Sequence, residues 1–144
     1  MKQLLMIARE RGLFVEWDRL GDYLRGLYDH ATGTIVLNSS MSMRLQRYAL
    51  AHELGHAWHE HRWTGDPHRD ARAERLADSH AARLLITPLE YARAESLVGP
   101  EPGALATELG VPLGVITAWQ LEARSGRSWT GTGPIRIVAS GLAS

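Results

Sequence analysis

Apolar and polar positions alternate along the chain with two distinct periods. Leu4, Leu5 and Ala8 share one face at helical spacing, so residues 1–12 read as a short helix ended by Gly12. Leu13 to Trp17 is rich in strand formers, and two more strands are predicted over 23–28 and 34–37. Asp29-His30-Ala31-Thr32-Gly33 supplies the turn between the last two, and the three strands are expected to form a small antiparallel sheet. Helical signals follow. Ser42 suits the N-cap of a helix running to about His59. Asp66-Pro67 opens a second long helix that reaches about Ile86, and Thr87-Pro88-Leu89-Glu90 is a capping box for a third that stops near Gly99. Residues 103–124 predict two short helices split at Gly110-Val111-Pro112. The pattern is α+β: a small sheet, two long helices packed on it, and short helices at the C-terminal end.

Pro100 and Pro102 mark a joint, which divides the chain into a domain over 1–98, a helix-turn-helix-like extension packed on it over 99–124, and a tail over 125–144. The tail holds Gly, Ser and Thr and is expected to be flexible, with an edge strand over the apolar patch 135–138 as the alternative. A length of 144 residues, 44% hydrophobic and 22% charged, suits one compact domain with an appendage and argues against wholesale disorder. The chain has no cysteine, which excludes a disulfide scaffold, a Cys-ligated zinc finger and a thiol nucleophile. Any metal site must then use His, Asp and Glu. Sixteen basic and 16 acidic residues leave no net charge to favour nucleic acid or an anionic membrane. No stretch approaches the ~18 apolar residues of a membrane span, and Met1 to Ile7 is too short for a signal peptide core. The expected location is the cytoplasm.

His52-Glu53-Leu54-Gly55-His56 carries the strongest chemical signal, an HExxH motif. On a helix, positions four apart rise about 6 Å and differ by about 40° in azimuth, so both imidazoles can meet one ion. Glu53 lies about 100° further round, beside such an ion rather than on it, where a catalytic base belongs. Gly55 costs a helix interior ~1 kcal/mol, which calls for a reason such as close approach of another backbone. A catalytic zinc takes three protein ligands and keeps one position open. Glu74 and Asp78, four apart on the next helix, offer the third. Glu74 is the assigned ligand, with Asp78 accepting a hydrogen bond from the outer N–H of His52 or His56; the reverse assignment, with Asp78 as the ligand, stays open.

At these residues the chain resembles the ImmA/IrrE family of metallopeptidases. The resemblance spans about residues 13–120 and rests on three stretches. They are the hairpin Gly26-Leu27-Tyr28-Asp29 to Ile35-Val36-Leu37-Asn38, the segment Leu50 to His56, and Glu74 to Pro88 with its Glu74-x-x-x-Asp78 pair. It departs from the family at His80, where an aromatic residue is usual, and at Pro88, which falls one residue late. His80 reads as a core or boundary residue. The resemblance implies a zincin-like fold, zinc on His52, His56 and Glu74, and Glu53 as general base. It also implies a protein substrate: a helix-turn-helix transcriptional repressor of a phage or mobile element, often encoded alongside. Tyr28, His30, His59 and His61 are candidate donors to a developing oxyanion, and strand 34–38 or its neighbour could hold an extended substrate by strand addition.

Ala104 to Trp119 has helix-turn-helix spacing, but Leu113 to Leu121 offers Thr117 and Gln120 without a Lys or Arg, and Glu108 and Glu122 oppose phosphate. Packing or partner docking is therefore preferred to direct nucleic-acid binding. Two alternatives to a peptidase remain: a metal-stabilised antirepressor that binds without cleaving and, ranked lower, a DNA-binding regulator.

Overall fold

Local signals account for where most elements begin and end. The computed structural model describes residues 1–125 and the short strands Trp129–Thr130 and Pro134–Ile135. The chain divides into two compact units, Met1–Ala81 and Ala82–Ser144.

In the first unit, α1 (Lys2–Glu10) buries Leu4 and Ala8. Three strands follow: β1 (Phe14–Asp18), β2 (Gly26–Asp29) and β3 (Thr34–Asn38). Their order is β1-β3-β2, with β2 antiparallel and β1 parallel to β3. The sheet is thus mixed, not antiparallel throughout. The loop over 19–25 reverses the chain but leaves a gap one strand wide, and β3 fills it. Buried Asn38 at the end of β3 holds that loop: its Nδ2 donates to the carbonyls of Gly21 and Leu24 at 2.7 Å each. The same bonds keep residues 21–24 in a turn, so β2 starts at Gly26 rather than Tyr23.

Ser42 caps α2 (Met43–Trp58), accepting from the backbone N–H of Leu45. This helix buries Ala49, Leu50 and Leu54 and packs on β2 and β3, whose Ile35 and Leu37 are fully buried. Helix α3 (Pro67–Leu85) meets α2 where Ala77 lies against Gly55. A methyl group there would lie 2.8 Å from the Ala77 Cα and 2.9 Å from its carbonyl oxygen, so the two backbones touch.

In the second unit, the predicted capping box is formed. Thr87 accepts from the N–H of Glu90, and the Glu90 carboxylate accepts from the N–H of Thr87, opening α4 (Pro88–Val98). Helices α5 (Pro102–Leu109) and α6 (Leu113–Ser125) meet at a 113° bend. Gly110 makes the bend, in the left-handed conformation at φ 66°. Tyr91 and Trp119 stack with ring centroids 3.8 Å apart, and the Gln120 amide donates to the Tyr91 hydroxyl at 2.8 Å. Strands β4 (Trp129–Thr130) and β5 (Pro134–Ile135) pair antiparallel. The rest of the tail, including positions 136–138, lies outside the described residues. Among the described residues, no single helix is long and apolar enough to cross a membrane.

Candidate metal centre

The α-helical repeat of α2 puts His52 and His56 one turn apart on one face, with side chains 12% and 13% exposed. Their Nε2 atoms are 3.1 Å apart. Glu74, brought across on α3, places Oε2 3.0 Å from His52 Nε2 and Oε1 3.1 Å from His56 Nε2. Three donor atoms from two helices thus converge in a group able to hold a metal ion. Zinc bonds of ~2.0–2.1 Å in a tetrahedral set imply donors about 3.3 Å apart, close to the spacing here. Two imidazoles and one carboxylate are also a donor set that zinc favours. The residues therefore fit the ion.

Burial disfavours a charge on His52, but hydrogen bonds to Asp78 and Glu74 outweigh it and push the imidazole up to about 9. Hydrogen bonds from His52 and then His56 hold the Glu74 carboxyl well below the ordinary carboxylate range. Glu53 is buried beside this group, and burial raises its pKa against the opposing pull of His52 and His56. A cavity of about 900 Å³ opens in front and is bordered by His52, Glu53, His56 and Glu74.

Asp78 lies where the spacing on α3 predicts, with Oδ1 2.9 Å from His52 Nδ1. Sequence reasoning passed over Tyr48, whose hydroxyl donates to the same Asp78 oxygen at 2.9 Å. Its position four residues before His52 was the available signal. His61 also has a role the sequence does not announce: its Nδ1 is 2.9 Å from His56 Nδ1. Tyr28 and His30 line the cavity, and the His59 ring stacks on His61. His80 is buried, stacked on Trp58 and 3.3 Å from the Arg11 guanidinium.

Strand β3 is the centre of its sheet, flanked by β1 and β2, and so has no free edge for a substrate. Its neighbour β2 is an edge strand and borders the cavity from Gly26 to Asp29.

Comparison with known proteins agrees with this geometry. A peptidase family model described as the IrrE N-terminal-like domain matches residues 16–118. Among solved structures, a Mycobacterium tuberculosis transcriptional regulator is similar, with a TM-score of 0.59 and 19% identity. The match covers 83% of this chain and 40% of that one, so this chain spans well under half of its length. At that identity the likeness is one of fold. No curated protein matches the chain.

Proposed function

Since the chain belongs to the IrrE N-terminal-like peptidase family, we propose that it is a zinc-dependent endopeptidase acting on a helix-turn-helix transcriptional repressor. The observation that carries this reading is the convergence of His52, His56 and Glu74 beside buried Glu53, at the wall of an open cavity.

His52, His56 and Glu74 would hold the zinc ion, which when bound supplies Lewis-acid polarisation of a peptide carbonyl and of water. Glu53 is the general base. Burial makes its carboxylate more basic than one in water, suiting it to take a proton from the attacking water and return it to the departing amine. Asp78 and Tyr48 orient His52 from behind. The main-chain groups of β2 can hold an extended peptide along the cavity by strand addition. An extended, locally unfolded segment of the substrate is what such an edge accepts.

The choice of a repressor rests on family resemblance. The similarity in fold to a protein named as a transcriptional regulator is consistent with a place in transcriptional control. On this reading the repressor is encoded nearby on a phage or mobile element, and cleavage takes place in the cytoplasm.

The test is incubation with the repressor encoded beside this chain, with and without a chelator, followed by mass spectrometry. Discrete fragments that vanish with chelator support cleavage. An intact complex under both conditions would instead indicate a non-cleaving antirepressor.

A further inference from the structure

We propose that His61 is a positioning residue for His56: it accepts a hydrogen bond from the ring nitrogen of His56 that faces away from Glu74, and so fixes the tautomer and ring angle that His56 offers a metal. The inference rests on the reading of His52, His56 and Glu74 as a zinc site.

Imidazole chemistry sets the direction of this bond. A neutral ring has one N–H donor and one lone-pair acceptor. His56 Nε2 lies 3.1 Å from Glu74 Oε1 and 3.1 Å from His52 Nε2, so it is the nitrogen that faces the donor cluster. To bind a cation it must present its lone pair, which leaves the proton on Nδ1. Nδ1 of His61 is 2.9 Å from that proton's nitrogen and must accept, so His61 carries its own proton on Nε2.

The chain just past α2 is built to hold His61 there. Glu60 adopts φ 53°, a left-handed conformation unusual for a residue with a Cβ. That turn folds the backbone so that the N–H of His61 donates to the carbonyl of His56 at 2.9 Å. The ring of His59 stacks on that of His61 at 5.2 Å and 16°. The next residue, Arg62, donates to His30 Nε2 at 2.6 Å and ties the loop to the end of β2.

The two histidines are therefore backed differently, His52 by the carboxylate of Asp78 and His56 by a neutral imidazole. The neutral partner has a use. A second outer carboxylate would place more negative charge near buried Glu53 and further disfavour its ionised form.

Zinc affinity measured against a chromophoric chelator tests the inference in the wild-type chain, His61→Phe and His61→Asn, with folding followed by circular dichroism. The visible spectrum of the Co(II)-loaded proteins gives a second readout. His61→Phe should weaken zinc about 10–100-fold and shift the cobalt bands. His61→Asn, whose Oδ1 can take the place of the imidazole Nδ1 as acceptor, should restore most of the affinity and the wild-type spectrum. Equal affinity in His61→Phe and wild type overturns the inference alone, and so does a His61→Asn chain as weak as His61→Phe. A wild-type chain that fails to take up one zinc, or a His56→Ala chain that binds as tightly as wild type, overturns the metal assignment itself and this inference with it.

Discussion

Asp78 and His52 meet at 2.9 Å through Nδ1, while Glu74 takes Nε2 of the same ring at 3.0 Å. Two carboxylates one turn apart on α3 thus grip the two nitrogens of one imidazole. Only Glu74 also reaches His56. Glu74→Ala should therefore abolish stoichiometric zinc, whereas Asp78→Ala should weaken it by about 10–100-fold. Metal analysis after dialysis against graded chelator separates the two. The opposite ranking would make Asp78 the ligand and Glu74 its support.

Glu53→Gln keeps the size of the side chain and removes its basicity. Zinc content and thermal stability should stay close to wild type, while turnover of the repressor falls by about 10²–10⁴-fold. Single-turnover cleavage followed by mass spectrometry reads the loss. Turnover that survives would take Glu53 out of the reaction.

The raised pKa of His52 makes zinc uptake a proton-linked event. With a pKa of about 9, the metal-free chain holds this proton at pH 7, and a cation must displace it. Apparent zinc affinity should climb from pH 7 towards 9. Calorimetry in buffers of differing ionisation enthalpy should register a released proton at pH 7 and little release above 9. The same shift acts on stability without metal. Its contribution is full below the ordinary histidine value of 6.5 and is lost as pH rises through about 9. Glu74, whose pKa is depressed, behaves oppositely: its contribution is present above the ordinary carboxylate value of 4.5 and is lost on acidification. Denaturant midpoints of the metal-free chain should therefore fall at both ends of that range.

Gly55→Ala pits propensity against packing. Alanine gains ~1 kcal/mol in a helix interior. The added methyl would meet the Ala77 backbone at 2.8 Å, and main chain cannot rotate away. Overpacking of this kind costs about 1–3 kcal/mol, more when backbone must shift, so the variant should melt several degrees lower and bind zinc less tightly. A higher melting temperature would mean that α3 withdraws freely from α2.

Features set by neighbours in sequence were legible. The caps at Ser42 and Thr87, the shared face of His52 and His56 and the shared face of Glu74 and Asp78 depend on local sequence and helical spacing; which of the two carboxylates meets both histidines depends on how α3 packs on α2. The parallel pairing of β1 was not legible. It depends on Asn38 capturing a loop that lies 14–17 residues earlier in the chain, and an alternating strand pattern reads the same in either direction. Sequence marks His61 as a candidate donor to substrate, and the contact of its Nδ1 with His56 is not legible there. The left-handed turn at Glu60 that directs it has no signature in a residue type that seldom adopts it. Tyr48 obeys the same four-residue rule as the histidines and was within reach of that reasoning.

The seam where Gly55 lies against Ala77 sits three residues after His52 and directly before His56, and one turn from Glu74. Main chain rests on main chain at that spot, so the separation of the two helices that carry the three donors is set there without the help of any side chain. Warming should not part α2 from α3 at that seam while the rest of the first unit stays folded.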